Sequence, residues 1–342
     1  MKLYEITIRP LSGFGTPLKG DTLFGHFCWQ AAYDAALVNG GLEKALAVYD
    51  KKPFAVFSSA FPKVKKGGAK YVLPRPHLPL SWLFPGQEMS RKEQYKKQKD
   101  LKAKKWMYLT EGLLLELPRT DFLDEARVAT DALSTGVADQ ARMIENRGHG
   151  GFITRFSHTH NSINRLTQTT GGGNFAPFVM ESTYYRPDIE LAFFVLLDEE
   201  MTDIQRVVSG LNSVGRFGFG RDASTGMGRF VVCESNEGQI ERPENASACY
   251  TLAPCVPEKA SFQHMYFSPF IRFGKHGDRL ATGGNPFKNP VVMADEGAVL
   301  IPKDTAVFEK RYVGTAVSGV SKADPGTRVQ GYAPFLPFRL EI

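Results

Sequence analysis

Apolar and polar residues alternate over residues 2–9, and this period of two predicts a β-strand at the start of the chain. A glycine-rich connector follows at residues 12–20. Apolar residues then recur from Leu23 to Ala35 at the spacing of one α-helical face, and we expect Asp21 to cap this helix. Two further elements are predicted from the same patterns, a short helix at 42–49 and a strand at 54–57.

The same order of elements returns in the second half of the chain. Residues 189–197 predict a strand apolar enough to be central, and Thr202 is expected to cap a helix that follows it. A strand is then predicted at 229–234. Strand, helix, loop and strand form half of a ferredoxin-like unit, and the N-terminal elements are compatible with the same pattern. A length of 342 residues suits two domains, which we place at 1–188 and 189–342 in an α+β fold.

A polar segment interrupts the first of these domains at about residues 146–183. It is rich in hydrogen-bond donors, poor in core residues, and contains three consecutive glycines at 171–173. We interpret this segment as a long β-hairpin or lobe that projects from the body. Its side chains are candidates for holding base edges or phosphates. The alternative is hydrogen bonding within the hairpin itself.

A glycine-rich loop at residues 215–228 is the most informative stretch of the sequence. Five glycines and three arginines lie between Val214 and Phe230. Glycines allow a backbone to approach a ligand closely, exposed N–H groups can cradle phosphate oxygens, and arginines supply forked charged donors. The order of helix, loop and strand does not fit a dinucleotide-binding fingerprint, which needs a strand before and a helix after. The loop predicts a phosphate clamp, and a simple connector is the alternative.

Charge is distributed unevenly along the chain. Residues 1–110 carry 19 Lys and Arg against 8 Asp and Glu, a net of +11, whereas the remaining residues carry 23 against 28, a net of −5. Eight basic residues fall within 91–105, in a charged helix predicted at 90–106. A basic half favours an anionic partner, although a solvated helix face also explains the run.

Several function classes find no support in the sequence. No apolar run approaches the roughly 20 residues that span a bilayer, and the N-terminus has no signal-peptide pattern. The four cysteines show no CxxC spacing, which favours reduced thiols in a cytoplasmic protein without a metal site. No phosphate-binding P-loop and no G-x-S-x-G nucleophile motif occurs. We therefore expect no cofactor, no metal, no membrane partner and no catalytic residue.

Several segments, in order along nearly the whole chain, resemble proteins of the RAMP superfamily. The segment at 17–29, Pro-Leu-Lys-Gly-Asp-Thr-Leu-Phe-Gly-His-Phe-Cys-Trp, is similar to the first-helix motif of that superfamily. The other matching segments are residues 58–62, residues 73–76, residues 160–167 with Thr169, Thr170, Gly171 and Glu181, the glycine loop, and residues 331–338. The resemblance is greatest to the RAMP subunit of type III-A CRISPR (Csm) effector complexes that caps the 5′ end of the guide RNA.

This resemblance implies two ferredoxin-like (RRM-like) domains, an inserted thumb-like hairpin and no catalytic activity. It also implies guide RNA as ligand, contact with a large polymerase-like subunit and a backbone RAMP subunit, and an indirect relation to target RNA. We expect the RNA-binding residues in the glycine loop, in the hairpin and before the first helix. They are Arg216, Gly218, Gly220, Arg221, Ser224, Gly226, Gly228, Arg155, His158, His160, Asn161, Asn164, Arg165 and Lys19.

Three alternatives remain open from the sequence. Some RAMP relatives cleave precursor RNA without a metal by means of a general-base histidine, and His26 on the first predicted helix is the candidate here. The chain is also compatible with the equivalent subunit of a type III-B complex. A protein-interaction scaffold whose basic charge is incidental is the third alternative.

Overall fold

The computed structural model describes residues 1–64, 68–84, 99–110, 112–132, 151–187 and 189–341. The α-helices that lie wholly within the described residues are α1 (Gly20–Tyr33), α2 (Leu42–Ala47), α3 (Leu80–Leu83), α4 (Glu125–Asp131) and α5 (Ile204–Phe217). The strands to residue 237 are β1 (Lys2–Pro10), β2 (Ala55–Phe57), β3 (Phe61–Val64), β4 (Lys70–Pro74), β5 (Trp106–Thr110), β6 (Phe122–Leu123), β7 (Ile153–His160), β8 (Phe178–Tyr185), β9 (Glu190–Leu197) and β10 (Phe230–Glu237). The later strands are β11 (Ala248–Thr251), β12 (Phe262–Tyr266), β13 (Pro269–Arg272), β14 (Val291–Ala294), β15 (Val299–Pro302), β16 (Tyr312–Gly314) and β17 (Tyr332–Phe338).

The first sheet is built around β1 and β9. Its strand order is β10-β1-β9-β3-β4-β5-β6, with β2 also paired to β9. The elements β1–α1–β2 and β9–α5–β10 are therefore two strand–helix–strand halves whose strands lie in the order β10-β1-β9-β2, all antiparallel. This connectivity is that of the split β–α–β unit of ferredoxin-like folds. The central position predicted for residues 189–197 is confirmed, since every residue from Leu191 to Leu197 is buried.

The two long helices pack against each other beside this sheet. Leu23, Phe24 and Phe27 of α1 are buried, as are Val207, Leu211 and Val214 of α5. Gly210 allows the close approach, because a Cβ atom there would lie 3.0 Å from the Phe27 ring. Both helices therefore have one apolar face, as their sequence periodicity predicts.

The predicted domain boundary between residues 188 and 189 differs from the structure. Strand β9 pairs with β1 from Lys2 to Ile8, so residues on both sides of that boundary belong to one sheet. Strand β10 pairs with the other edge of β1 and extends the same sheet to residue 237. The repeated strand–helix–strand pattern is thus two halves of one unit, and residues 189–237 are not available to a second one.

A second sheet lies beyond this unit, with the order β12-β15-β11-β17-β16. Among the described residues after 237, the only helical segments are short 3-10 turns. Strands β13 and β14 form a separate two-stranded ribbon, which a bridge between Lys275 and Phe287 continues; we call residues 269–294 the ribbon. The expected ferredoxin-like domain over 189–342 is therefore replaced by a mainly β unit.

The two sheets are joined by a buried amide. The Gln330 side chain accepts a hydrogen bond from the Phe57 N–H at 2.8 Å and donates to the Phe57 carbonyl at 2.8 Å and the Tyr332 carbonyl at 3.0 Å. Gln330 is fully buried, so no solvent competes for these groups. The Gln330 amide therefore forms the backbone hydrogen bonds at Phe57 of β2 that a neighbouring strand would otherwise form.

Two predicted helix caps are wrong by one residue or more. Helix α1 begins at Gly20, and Asp21 lies inside its first turn with its carboxylate paired to Arg272. The cap of α5 is Asp203, which accepts from the Arg206 N–H at 2.9 Å, while the Thr202 hydroxyl donates to the Leu37 carbonyl. In both cases the predicted cap is engaged by a residue distant in sequence, and a local sequence pattern carries no information about such a partner.

Most of the predicted charged helix at 90–106 lies outside the described residues, as does the start of the predicted lobe at 146–150. Residues 99–103 are helical, but Trp106 begins strand β5. The hairpin predicted within 146–183 is present as β7 and β8. The four cysteines are free thiols, as expected.

We predict that Gln330→Leu destabilises the protein, because it leaves the N–H and carbonyl of Phe57 buried without partners. An unsatisfied buried group costs about 1–3 kcal/mol, so the melting temperature should fall by several degrees. Gln239→Leu is the matched control, since Gln239 is exposed. Equal melting temperatures of the two variants would contradict the role given to Gln330.

Candidate nucleic-acid interface

Strand register brings three distant segments together at one end of the first sheet. Pro10 pairs with Phe230, so the connector that leaves β1 at residue 11 lies beside the end of the glycine loop. Ile8 pairs with Leu191 of β9, and β8 ends a few residues before that strand. The glycine loop, the connector and the base of the hairpin therefore meet at the same place.

Backbone hydrogen bonds hold the connector between its two neighbours. The Gly228 N–H donates to the Gly13 carbonyl at 2.7 Å. On the other side, Phe14 and Thr183 exchange N–H to carbonyl bonds of 2.8 and 2.9 Å. A side chain on Gly13 would clash with the Tyr184 ring, since a Cβ atom would lie 2.4 Å from it. The site is thus a continuous backbone platform rather than separate loops.

The glycine loop needs glycine at four positions for reasons of backbone conformation. The φ angles of Gly218, Gly220, Gly226 and Gly228 are 110°, 75°, 93° and 73°, in the region that disfavours other residues. A Cβ atom on Gly228 would lie 2.1 Å from the Phe219 carbonyl oxygen, whereas one on Gly226 meets nothing within 4 Å. Gly226 is thus the one of these four beside open space.

Most backbone N–H groups of the loop are already bonded within the protein. Those of Phe219, Gly220 and Arg221 donate to Gly228 O, His26 Nε2 and Thr16 Oγ1. Those of Thr225, Gly226 and Met227 donate within the loop. These N–H groups are therefore not free to cradle a phosphate, and of residues 218–228 only Asp222, Ala223 and Ser224 have an N–H without a hydrogen bond to a described residue.

The three arginines of this region have different roles. The Arg221 Nη2 donates to the Glu181 carbonyl at 2.5 Å and its Nε pairs with Asp222 at 3.0 Å, so Arg221 ties the loop to β8. Arg216, in the last turn of α5, is exposed and forms no ion pair with a described residue, and the same holds for Arg229. Arg216 and Arg229 therefore present the free cations of this surface.

The hairpin has two chemically different faces. Since side chains alternate along a strand, the register His158–Met180 and His160–Phe178 places Phe156, His158, His160, Phe178 and Tyr184 on one face. His160 stacks on Phe178 with ring centroids 5.4 Å apart, and Phe156 meets Tyr184 edge-on at 5.1 Å. This aromatic face continues towards the glycine loop, where the Tyr184 hydroxyl lies 3.6 Å from Met227 Sδ. Arg155 is on the opposite face, with Thr183.

The remaining predicted hairpin residues lie at its tip. Asn161 and Arg165 are exposed, while the Asn164 Oδ1 accepts from the Leu166 N–H at 2.9 Å and so shapes the turn. Ser224 is also exposed, in a short 3-10 turn of the glycine loop. The structure therefore brings the glycine loop and the hairpin base together but leaves the tip residues far along the hairpin.

Lys19 is part of a buried ion cluster. Its Nζ pairs with Asp295 at 2.5 Å and Glu296 at 2.6 Å, and it lies 4.7 Å from the centre of the Phe270 ring. Burial, reinforced by the neighbouring Asp295, raises the pKa of Glu296 to about 7. Against the effect of burial, the hydrogen bond with Glu296 and then the ammonium of Lys19 lower the pKa of Asp295. In this structure the ammonium of Lys19 is therefore paired with carboxylates of the second unit rather than left free for a ligand.

His26 supports the glycine loop. Its Nε2 accepts from the Gly220 N–H at 3.0 Å, and its ring packs on Phe219 with centroids 4.5 Å apart. Although His26 as a whole residue is only half-buried, burial of its imidazole and the nearby Lys288 lower the pKa of His26 to about 4. The imidazole is thus neutral, with its proton on Nδ1 and its accepting nitrogen engaged by the loop.

Sequence reasoning missed three features of this surface. Arg229 directly follows the last loop glycine and was absent from the candidates. The aromatic face of the hairpin was visible as alternation of Phe156, His158 and His160, once β-structure is assumed. The partners of Lys19 lie about 276 residues away, and no sequence signal joins them.

The fold is shared with chains of solved CRISPR effector assemblies over the whole length. A chain of a Csm1–Csm4 cassette in complex with cA4 gives a TM-score of 0.58 at 17% identity and covers 100% of both chains. A chain of the cassette in complex with pppApA gives 0.55 at 18%, covering 100% of this chain and 99% of that one. A chain of a Csm3–Csm4 subcomplex of the type III-A CRISPR-Cas interference complex gives 0.57 at 14%, covering 99% and 100%.

No family model and no curated protein matches the chain. At these low identities the likeness establishes the fold, which is that of chains in type III-A Csm assemblies. The assemblies are the ones that the sequence resemblance indicated. Among the described residues, no group of His, Cys, Asp and Glu could hold a metal ion, and no helix is long and apolar enough to span a membrane.

We predict that Gly228→Ala destabilises the protein far more than Gly226→Ala. Both positions have positive φ, which costs roughly 1 kcal/mol for alanine, but only position 228 adds a clash with backbone. Thermal unfolding of the two variants measures the difference. Similar melting temperatures would show that the loop does not adopt this conformation.

We also predict a pH-dependent contribution from Glu296. A carboxyl whose pKa is raised on folding stabilises the folded protein fully at pH values below the pKa of that carboxyl in the unfolded chain. This stabilisation is lost as the pH rises through the folded-state pKa of about 7. The stability of the wild type relative to Glu296→Gln should therefore fall between pH 4.5 and pH 7. Melting curves of both proteins across this range test it, and a constant difference would contradict it.

Proposed function

We propose that this protein is a non-catalytic RNA-binding subunit of a type III CRISPR effector ribonucleoprotein, in which it holds the 5′ handle of the guide RNA. The observation that carries the proposal is the meeting of the arginine-bearing glycine loop with the aromatic face of the hairpin at one end of the sheet. The shared fold with chains of Csm assemblies supports it.

The chemistry of this surface suits single-stranded RNA. Arg216 and Arg229 provide exposed cations for phosphates, which supply affinity without reading sequence. Phe156 and Phe178 expose about half of their surface, at 45% and 48%, and such aromatic side chains stack on splayed bases. In this proposal the hairpin acts as a thumb that separates nucleotides. The exposed Ser224, Asn161 and Arg165, with Arg155 on the second face, are further candidate contacts.

The proposal also assigns partners. The similar chains come from assemblies named for Csm1 with Csm4 and for Csm3 with Csm4. By analogy this chain would meet a large polymerase-like subunit and a backbone RAMP subunit, and target RNA only indirectly, in the cytoplasm. The equivalent place in a type III-B complex is the alternative assembly.

A role as a metal-independent nuclease receives less support from the geometry. A general base must have a free accepting atom within reach of the substrate proton, whereas the Nε2 of His26 accepts from Gly220. Incubation of the wild type with precursor repeat RNA in the absence of metal discriminates the two functions. Site-specific cleavage that disappears in His26→Ala would replace our proposal by the nuclease.

We predict that Arg216→Ala/Arg229→Ala weakens binding of a guide RNA with an intact 5′ handle without changing the melting temperature. Charge-assisted bonds are worth about 1.5–3 kcal/mol each, so the pair should cost on the order of a hundredfold or more. The slope of log affinity against log salt should fall by about 1.4, or roughly 0.7 for each phosphate on a single strand.

The matched control for this experiment is Arg119→Ala/Arg339→Ala, which removes two exposed arginines elsewhere. Filter binding at several salt concentrations measures affinity and slope together. Equal losses of RNA affinity in the two double variants would show that Arg216 and Arg229 do not form the RNA-binding surface. Binding of RNA by neither the wild type nor its assembled complex would favour a protein scaffold.

A further inference from the structure

The outer face of the ribbon is apolar and exposed. Exposure alternates along its first strand, where Ile271, Phe273 and Lys275 point outward. On the second strand Val292 pairs with Ile271 and Phe287 pairs with Lys275, so both side chains share the outward face. The two phenylalanines are the most exposed of these four apolar side chains, at 73% and 70% of their surface. An apolar patch of this kind on a folded chain marks a binding surface.

The inner face of the ribbon is fixed to the rest of the protein. The guanidinium of Arg272 binds the Asp21 carboxylate of α1 through bonds of 2.5 and 2.8 Å. Further along the ribbon, the Nε2 of His276 lies 2.7 Å from the Ser321 hydroxyl oxygen, and both residues are buried. The outer face is therefore held in one conformation before any ligand arrives, which reduces the conformational entropy lost on binding.

The side chains on the outer face suit unpaired bases of a polyanion. Phe287 lies opposite Lys275, so it is a diagonal neighbour of Phe273 on the same face. The Nζ of Lys275 lies 5.6 Å from the centre of the Phe287 ring. Exposed rings stack on bases of any sequence, and an adjacent cation can contact the phosphate between them. Residues 269–294 contain four Lys and Arg against one Asp, which favours RNA over an acidic or neutral protein partner.

The ribbon lies beside the proposed RNA surface, along one side of α1. A Cβ atom on Gly277 of the ribbon would lie 3.6 Å from Nε1 of Trp29. His26, three residues earlier in the helix, accepts from the Gly220 N–H of the glycine loop. Since residues three apart are neighbours on a helix surface, the glycine loop and the ribbon border the same side of α1. An RNA strand that leaves the glycine loop across this side of the helix reaches the ribbon.

We propose that the outer face of the ribbon binds unpaired bases of the RNA strand, which stack on Phe273 and Phe287 while Lys275 contacts a phosphate. This inference rests on the proposed RNA-binding function and adds a second stacking surface to that of the hairpin. A protein partner would bury the same apolar area without a need for aromatic rings, so the experiment must separate ring from area.

The test replaces both rings by leucine in the full chain, as Phe273→Leu/Phe287→Leu. Leucine keeps an apolar side chain but has no ring to stack, so affinity for guide RNA should fall on the order of tenfold for each ring. Because no charge is removed, the slope of log affinity against log salt should keep its wild-type value, whereas Lys275→Met should lower the slope by about 0.7. Filter binding at several salt concentrations measures both quantities.

The matched control is Ile271→Ser/Val292→Ser, which removes apolar area from the same face and leaves both rings. This control should bind guide RNA as the wild type does, and all variants should melt near the wild-type temperature because the replaced side chains are exposed. Wild-type affinity in the leucine variant would overturn the proposal. Unchanged RNA affinity together with lost association with another subunit would assign the face to a protein partner and would also overturn it.

Failure of the inference can be told apart from failure of the proposed function. If the wild type binds guide RNA and the leucine variant binds it equally well, only the ribbon proposal fails. If the wild type binds no guide RNA, the proposed function fails, and the ribbon is tested with a short single-stranded oligouridine that carries 5-iodouridine. Ultraviolet cross-links that map to Phe273 or Phe287 would support the ribbon as a base-stacking surface, and their absence would overturn it.

Discussion

The pairing of β1 with β9 on one side and β10 on the other is the constraint on which the rest of the molecule depends. Because the strands are antiparallel, the chain leaves β1 at the end where β10 begins and β9 begins. The glycine loop precedes β10 and the hairpin precedes β9, so both must lie beside the connector. The candidate interface is therefore a consequence of sheet register.

Within that frame, the polar groups divide into those that build the surface and those that face outward. The side chains of Arg221, His26 and Thr16 form hydrogen bonds that hold the glycine loop in place, while Arg216 and Arg229 extend from it. A loop rich in glycine and arginine is thus not uniformly a ligand site. Its backbone geometry is fixed by internal bonds, which preorganise the exposed cations and reduce the conformational entropy lost on binding.

Local patterns predicted strands β1, β2, β9 and β10, the two long helices and the hairpin, because periodicity of apolar residues reports which face is buried. They did not predict that residues 189–237 complete the first sheet, since the same strand–helix–strand order suits one unit or two. They also did not predict the partners of Lys19 and Asp21, which lie on the second unit. Contacts between distant segments decide which charged residues of the sequence remain free for a ligand, and Arg216 and Lys19 show the two outcomes.

The ion cluster at the start of α1 has a consequence for synthesis of the chain. Lys19 and Asp21 are translated long before Asp295 and Arg272, with separations of 276 and 251 residues. At about 5–20 residues per second the ribosome needs on the order of 10–60 s to deliver those partners. During this interval the charged side chains of Lys19 and Asp21, which are buried in the folded protein, have no ion-pair partners. Completion of the ion cluster at the start of α1 therefore waits until Arg272 and Asp295 have been synthesised.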